Sequence, residues 1–250
     1  MTALTVQVVA ADEDGFITFA DGTMHHTETD ITTITTNAKV KVGQWSSMGE
    51  LGSEHDLERE FMTFTGWVHL KNFTIAQGAT INSATLHFYH NDNAGFEDFN
   101  SSQYDPSEGM TVAAEDVDSA SKPTSYADVN GMTLTSASVA TGSFIDASDE
   151  DYSGGPDETF NDAWYPTHAS AGTGLEIKTI LQELVNRSGW SSGSNVNLKL
   201  TPADHDGMTD WHILWTDYDT TTSLAMKLVI DYTAAAASAA TSEAFLLFLD

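Results

Sequence analysis

Apolar and polar residues alternate with a period of two along much of this sequence, and this pattern restricts the chain to a β-rich fold. In residues 79–90, the apolar positions Ile81, Ala84, Leu86 and Phe88 include the stripe of a half-buried antiparallel strand. Other runs rich in β-branched and aromatic residues are bounded by turn formers, and they are residues 6–9, 61–70, 196–200, 211–215 and 224–232. The spacing of these runs predicts an all-β fold, an antiparallel β-sandwich of jelly-roll type.

One segment has a helical period instead. Its apolar face consists of Ile177, Ile180, Leu181, Leu184 and Val185, at the spacing that predicts a single short helix. Gly189 follows, and we expect the chain to enter the left-handed conformation there. Trp190 is then expected to anchor the chain after its reversal.

Two stretches lack a sustained period and predict long acidic loops. Residues 91–109 and 142–174 are dense in Asp, Asn, Ser and Gly. The end of the chain differs again, since an Ala/Ser run at 234–240 precedes the apolar residues 244–249. We therefore predict one β-sandwich domain over residues 1–232, followed by an Ala-rich tether at 233–250 that carries an apolar docking segment.

Charge and composition exclude several classes of function. Nine Lys and Arg stand against 37 Asp and Glu, a net charge of −28, so nucleic acid and anionic membranes are not predicted as partners. The absence of cysteine excludes a disulfide framework, a Cys-ligated metal and a thiol nucleophile. The sequence begins without the basic and apolar regions of a secretory signal, so we expect release by lysis or by export without a Sec signal.

Three motifs carry a resemblance to a known family. Residues 73–86, FTIAQGATINSATL, resemble the IP-x-GATI-x-SA-x-L strand–turn–strand element of DNRLRE-type domains, which are β-sandwiches related to carbohydrate-binding modules. Residues 184–193, LVNRSGWSSG, are similar to the VNRPGWxSG helix exit of related domains in marine phage and bacterial surface proteins. Residues 224–232, LAMKLVIDY, are similar to the closing strand A-x-L-x-I-x-Y.

The resemblance covers roughly residues 6–232, because residues 10–16, AADEDGF, also resemble the opening strand of that family. It implies a β-sandwich surface module and no catalytic residue. Ala76 stands where the family usually has proline, and the acidic, arginine-containing signature of the family is absent. The resemblance therefore implies a fold and carries no ligand specificity.

The carboxylates do not point to catalysis. The acidic clusters are typical of a solvated surface, and they comprise Glu54, Asp56, Glu58, Glu60, Asp146, Asp149, Glu150 and Asp151. The sequence has no Gly-x-Ser-x-Gly elbow, P-loop, His-Glu-x-x-His motif or dinucleotide fingerprint. We therefore predict that the protein is not an enzyme.

Two Asp-x-Asp-Gly turns make calcium the candidate cofactor. Asp12 and Asp14 form the first pair and Asp204 and Asp206 the second, and calcium takes several oxygen ligands of this kind. Neither turn continues to a distal Glu in EF-hand register. The alternative is that both are plain turns, since Asp and Gly are ordinary turn formers.

Aromatic residues offer a candidate contact for sugars. Trp164 and Tyr165 lie in a predicted loop, where their rings could stack on a host glycan. The tryptophans next to strand or helix patterns are expected in the core, and these are Trp67, Trp190, Trp211 and Trp215.

The apolar end of the tether is the strongest indication of a partner. Its docking residues are Phe245, Leu246, Leu247, Phe248 and Leu249. We expect this segment to add as a strand to the sheet edge of a sister subunit or of another virion protein, in a homo-oligomer or a larger assembly. The alternative is that it folds back on its own domain.

Together these patterns predict a non-catalytic structural protein of a phage virion. We expect a capsid-decoration or tail-associated subunit on the virion surface, because the resemblance is to surface modules and an acidic surface suits saline water. The alternative is a carbohydrate-binding or adhesive module of a bacterial cell surface, exported without a Sec signal.

Overall fold

The computed structural model describes residues 1–21, 31–36, 40–50, 57–90, 110–140, 163–165, 175–202, 211–215 and 221–235. These residues form two antiparallel sheets with two short helices, which confirms the predicted all-β class. The strands are β1 Thr2–Gln7, β2 Asp14–Asp21, β3 Ile31–Thr36, β4 Val40–Glu50, β5 Leu57–Phe73, β6 Thr80–His90, β7 Met110–Ala114, β8 Val139–Ala140, β9 Ala163–Tyr165, β10 Leu175–Glu176, β11 Ser194–Pro202, β12 Trp211–Trp215 and β13 Lys227–Thr233. The helices are α1 Tyr126–Asn130 and α2 Lys178–Val185.

The smaller sheet, sheet A, has the order β1-β13-β6-β10, with β9 also paired to β6. Strand β1 runs antiparallel to β13 in continuous register from Thr2 opposite Tyr232 to Gln7 opposite Lys227. The buried residues on the inner face of β13 and β6 alternate with half-buried or exposed ones, as the period-two pattern predicts. Strand β1 is the edge of this sheet among the described residues.

The larger sheet, sheet B, is built on the 17-residue strand β5. Strand β2 pairs with residues 61–68 of β5, β4 with residues 57–64 and β11 with residues 66–73. Because the stretch paired with β2 overlaps both of the others, β2 lies along one edge of β5, and β4 and β11 follow one another along the opposite edge. Sheet B therefore branches, with β12 beside β4 and β7 and β8 beyond β11.

The core lies between the inner faces of the two sheets. Sheet B contributes Val68, Leu70, Phe73, Leu198 and Leu200, and sheet A contributes Leu86, Phe88, Leu228 and Ile230, all at most 1% exposed. Helix α2 packs against β6 and β7 and buries Ile180, Leu181, Leu184 and Val185. The predicted helix and its apolar face are confirmed. Each large side chain of this kind stabilises the fold by about 1.5–3 kcal/mol through burial.

The exit from α2 differs from the prediction. Gly189 was expected in the left-handed conformation, but the described glycines with positive φ are Gly15, Gly78 and Gly193. A Cβ atom at Gly189 would instead overlap the Asp118 carboxylate, so a larger residue would have to displace that exposed side chain. The predicted left-handed conformation at Gly189 is therefore wrong.

Trp190 anchors the chain after the helix, as predicted. Its side chain is 3% exposed, and Nε1 donates a hydrogen bond of 2.9 Å to the carbonyl oxygen of Ile75. Its ring meets Phe73 edge-on at a centroid distance of 6.0 Å. The turn between β5 and β6 is also tied to the helix, because the Gly78 N–H donates to the Val185 carbonyl oxygen at 3.0 Å.

Several other expectations meet the structure only in part. The strand predicted at residues 6–9 is β1, which begins at Thr2 and ends at Gln7. The predicted loop at 91–109 lies outside the described residues, and within the predicted loop at 142–174 the structure describes only the short strand β9. The final strand, β13, extends to Thr233. Neither described helix has the length and apolar character needed to span a membrane.

Candidate functional site

The first Asp-x-Asp-Gly turn places its two aspartates in different environments. Asp12 is exposed, and its Oδ2 pairs with the Lys122 ammonium. The hydrogen bond from Lys122 lowers the pKa of Asp12 below its ordinary value. Asp14 is fully buried at the start of β2, where it lies opposite Val68 in register. The two predicted calcium ligands are thus divided between the surface and the interior.

The residue between them, Glu13, fastens the turn to sheet B. Its side chain is 4% exposed and pairs with the Lys71 ammonium, while Oε2 accepts a hydrogen bond of 3.1 Å from the Val9 N–H. Its backbone carbonyl oxygen accepts a 2.6 Å bond from the His69 N–H. Glu13 therefore ties this turn to β5 and to the segment that follows β1.

The described residues contain no group of three or more His, Asp or Glu side chains that could hold a metal ion. The second predicted pair, Asp204 and Asp206, lies outside the described residues. Calcium therefore stays a prediction, and a cation at Asp12 would have to compete with Lys122.

A buried hydrogen-bond network lies beside this turn on the outer face of sheet B. Asn197 Nδ2 donates to Glu115 Oε2 at 2.7 Å and to the Ser121 carbonyl oxygen at 2.8 Å. Its Oδ1 is therefore the acceptor for His69 Nδ1, at 2.6 Å. Burial lowers the pKa of His69 below its ordinary value, against the opposing effects of the Asn197 bond and the Glu13 charge. The Asn197 bonds thus make His69 Nδ1 the donor, and burial favours the neutral form of the ring.

Residues 115–135, called the strap below, cover this outer face. The two ends of the strap are paired by an antiparallel β-bridge between Glu115 and Leu134. The strap also contains α1, whose capping box links Ser125 and Asp128. Beneath it lies a second apolar cluster, which comprises Ile17, Trp67, Val129 and Met132. The strap thus covers the outer face of sheet B where β2, β5 and β11 lie.

Three of the nine Lys and Arg residues fasten the strap. Lys122 pairs with Asp12, and Arg187 pairs with Asp116 and donates from Nε to Asp118 Oδ1 at 2.8 Å. The Asp118 and Asp116 carboxylates raise the pKa of Arg187. Lys199, which is 9% exposed, donates from Nζ to a strap carbonyl oxygen at 3.3 Å, and burial lowers its pKa.

The outer face of sheet A has a different character. One row across β1, β13 and β6 holds Thr5, Val229 and Thr85, and every member of this row retains solvent exposure. The adjacent row holds Lys227 and His87, which are half-buried. Small polar and apolar side chains thus share a face that solvent reaches.

The two residues predicted for sugar contact lie at the end of this sheet. The register places Trp164 opposite Tyr89 and Tyr165 opposite Phe88. Tyr89 is half-buried, whereas Phe88 is fully buried in the core. Both residues lie on strand β9 and not in the predicted loop, and of the two only Trp164 shares a register position with a residue that solvent reaches.

The β1 edge of sheet A has no charged side chain. Strand β1 pairs with β13 alone among the described residues, and residues 2–11 carry no charge. The chain leaves sheet A at Thr233, beside the start of β1, because Thr2 lies opposite Tyr232. The docking residues Phe245–Leu249 and the tether beyond Ala235 lie outside the described residues.

Sequence reasoning missed the strap and the buried network around His69. The available signal was in the predicted strand 196–200, where Asn197 and Lys199 interrupt an otherwise apolar run at alternate positions. Both residues lie on the covered outer face and are buried. Polar residues that alternate with apolar ones are usually assigned to solvent, so the pattern alone does not show that a strap covers them.

Comparisons with protein-family models, with curated proteins and with solved structures find no match to this chain.

Proposed function

We propose that this chain is a non-catalytic structural subunit of a phage virion, a capsid-decoration or tail-associated protein displayed on the particle surface. One observation carries the proposal: the chain leaves the sandwich beside an uncharged sheet edge, and an apolar segment follows within the next 16 residues, 234–249. A sandwich with an apolar segment attached at one end suits docking onto an assembly. Its sister subunits or other virion proteins are the proposed partners.

The polar groups of the described residues support a structural role. Glu13 is occupied by Lys71, and Asp116 and Asp118 by Arg187. His69 is buried at 3% exposure and bonded to Asn197. These groups fasten the strap and the turn to sheet B, where a substrate would have to displace them.

Deletion of residues 234–250 tests the proposal. The truncated chain should fold, because β13 is complete at Thr233, and it should lose stable association with particles or sister subunits. At about 25 cal/mol per Å² of apolar surface, five large side chains supply several kcal/mol before ordering costs. Co-sedimentation with particles and light scattering would measure the association.

Two matched double variants test whether association depends on the apolar side chains of the segment or only on the presence of the tether. Phe245→Ser with Phe248→Ser should weaken association, whereas Ala237→Ser with Ala239→Ser should leave it unchanged. Equal association of the truncated and full chains would contradict the proposal.

A second candidate is a carbohydrate-binding or adhesive module of a bacterial cell surface. The observation that favours it is the pairing of Trp164 with Tyr89 at the end of sheet A. Aromatic rings at such positions can stack on sugar rings. Retention on polysaccharide columns should fall in Trp164→Ala and be kept in Trp164→Tyr, since the conservative variant preserves a stacking ring. Equal retention of all three chains would exclude this candidate.

A further inference from the structure

We propose that residues 117–132, the central part of the strap, open from sheet B as a unit at mildly acidic pH, while the two sheets stay paired. Opening uncovers Trp67, His69 and Lys199 on the outer face of sheet B. The strap is then an acid-responsive cover, and this property does not depend on how the chain docks onto a particle.

The two ends of the strap are held together independently of its central part. Besides the β-bridge described above, the Asp116 N–H donates a hydrogen bond of 2.7 Å to the Thr133 carbonyl oxygen. The Thr135 N–H donates to the Ala114 carbonyl oxygen at 2.9 Å. The chain therefore enters and leaves residues 117–132 at one place, as in an Ω-loop, and this part can move without separating the strands on either side.

The central part of the strap has few main-chain contacts with the sheet that it covers. Among the described residues, one backbone hydrogen bond joins residues 117–132 to sheet B, from the Ala120 N–H to the Asn195 carbonyl oxygen at 2.9 Å. The other attachments are the exposed ion pairs and side-chain hydrogen bonds described above. The buried side chains of this part are Ala120, Pro123, Val129 and Met132. A segment attached in this way opens at a lower free energy than the strands beneath it.

The surface beneath the strap contains polar groups that burial leaves poorly satisfied. Lys199 lies opposite Trp67 in register, and its ammonium has one hydrogen bond among the described residues, to the Asn130 carbonyl oxygen at 3.3 Å. Trp67 is fully buried, and its Nε1 has no hydrogen-bond partner in the described part of the chain. Burial of such groups costs free energy. Opening returns both groups to water, and this offsets part of the cost of separating the strap from the sheet.

His69 connects the opening of the strap to pH. Its Nδ1 bonds to Asn197, whose amide nitrogen holds the strap through the Ser121 carbonyl oxygen and Glu115. The charged groups nearest to this network are Glu13, Lys71, Glu115, Lys122 with its partner Asp12, and Lys199 two residues beyond Asn197. A proton on His69 in the closed form therefore adds a buried positive charge beside Lys71 and Lys122.

Proton uptake by His69 favours the open form. Burial lowers the pKa of His69 while the strap is closed, and the charges of Lys71 and Lys122 act in the same direction. Opening exposes the ring to water and moves Lys122 away, so the open form binds the proton at a higher pH than the closed form does. Opening is therefore favoured as the pH falls below 6.5, the ordinary pKa of histidine.

Native-state hydrogen exchange of the full chain tests the inference. The amides of Ala120, Val129 and Met132 should be protected about tenfold less, or weaker still, than those of β6 and β13, and low denaturant concentrations should not change their exchange, because local opening exposes little surface. Their protection should fall by about three- to tenfold from about pH 7.5 to about pH 5.5, since one bound proton changes the equilibrium by at most tenfold per pH unit. Equal protection of strap and sheets, with the same denaturant dependence, would overturn the inference.

Variants at the two ends of the Asn197 bridge identify the acid-sensitive group. His69→Gln and His69→Asn should each remove the pH dependence of strap protection, because neither side chain titrates and both can donate to Asn197 Oδ1. Glu115→Gln is the matched control and should keep it, since Asn197 Nδ2 can donate to the new amide oxygen. The amides of β6 and β13 report whether each variant keeps the fold. A pH dependence that persists in both folded His69 variants, or that Glu115→Gln removes, would overturn the inference.

Oxidation of tryptophan by N-bromosuccinimide supplies an independent readout. Trp67 lies beneath the strap and Trp190, which is 3% exposed, lies in the core between the sheets. The ratio of Trp67 to Trp190 oxidation, measured by peptide mass mapping, should rise by about threefold or more from about pH 6.5 to about pH 5, and His69→Gln should remove this rise. A ratio that stays constant with pH would overturn the inference, because the two rings would then be uncovered by the same event.

Discussion

At the scale of single residues, glycine at position 15 permits the close contact between β2 and β3. Gly15 has φ of 153°, and a Cβ atom there would lie 2.0 Å from the backbone carbonyl oxygen of Thr35. Backbone on a paired strand cannot move aside as a flexible side chain can. The glycine of this Asp-x-Asp-Gly turn is thus required by sheet packing, whether or not the turn binds a metal.

Gly15→Ala should therefore destabilise the fold by about 3 kcal/mol through backbone strain and overpacking. The matched control is Gly78→Ala, because Gly78 also has a positive φ, of 71°, but a Cβ atom there would meet only the Ala235 side chain at 4.0 Å. That variant should cost about 1 kcal/mol. Chemical denaturation measures both, and equal losses would show that β3 does not approach Gly15 so closely.

The buried histidine makes stability depend on pH. The groups around His69 are Asn197, Glu13, Lys71 and Lys122, and burial is the largest cause of its lowered pKa. Below its ordinary pKa of 6.5, His69 takes up a proton in the unfolded chain but not in the folded one. The free energy of unfolding should therefore fall as the pH decreases below about 6.5.

His69→Gln should flatten this decrease, since glutamine can donate to Asn197 Oδ1 without titrating. His87→Gln is the comparison variant, because burial and Lys227 also lower the pKa of the half-buried His87, so it should remove a separate part of the same decrease. Unfolding at a series of pH values measures the slope. An unchanged slope in His69→Gln would contradict the assignment of His69 as the acid-sensitive group.

At the scale of elements, the strap is held by cations in two different environments. Arg187 is 30% exposed and bridges two aspartates, whereas the ammonium of Lys199 is buried. Removal of Arg187 leaves Asp116 and Asp118 to repel each other. Removal of the Lys199 charge relieves a desolvation penalty that a single carbonyl contact only partly offsets.

Arg187→Met should lower the free energy of unfolding by about 1 kcal/mol, or about 2–4 °C in Tm. Lys199→Met should change it by less than about 0.5 kcal/mol in either direction. Both variants remove one positive charge from the same acidic chain, so the change in net charge cancels from the comparison. A larger loss in Lys199→Met would show that its ammonium contributes more to the strap than the exposed bridge does.

The sequence predicted those elements whose own residues contain the signal. Strands β6, β11 and β13 and helix α2 were predicted because each has one apolar face, and Leu86 and Ile180 lie in the core as expected. Strand β3, ITTITT, was missed because its threonines reduce the apolar contrast, and α1 was missed because five residues give little more than one helical turn. The strap depends on contacts between residues more than 60 positions apart, such as Asp118 with Arg187, which no local pattern encodes.

At the scale of the whole molecule, the scarcity of cations links stability to ionic strength. With 37 acidic side chains and nine cations, repulsion among carboxylates opposes the compact state. Three of those nine cations are concentrated at the strap, so they neutralise few of the remaining acidic residues. Added salt screens charges separated by more than about 10 Å at 0.1 M, and short exposed bridges contribute only about 0–1 kcal/mol each.

Raising NaCl from about 0.01 M to about 1 M should therefore increase Tm, because relief of general repulsion exceeds the weakening of the strap bridges.

CaCl2 at matched ionic strength tests the calcium prediction in the same experiment. An additional rise with calcium that chelator reverses, and that Asp204→Asn with Asp206→Asn removes, would place the ion at the second turn. Loss of that rise in Asp12→Asn would place it at the first turn, in competition with Lys122. Identical melting in the two salts would show that calcium does not stabilise the fold. A Tm that falls as NaCl is raised would show that local ion pairs contribute more to stability than the repulsion due to the net charge.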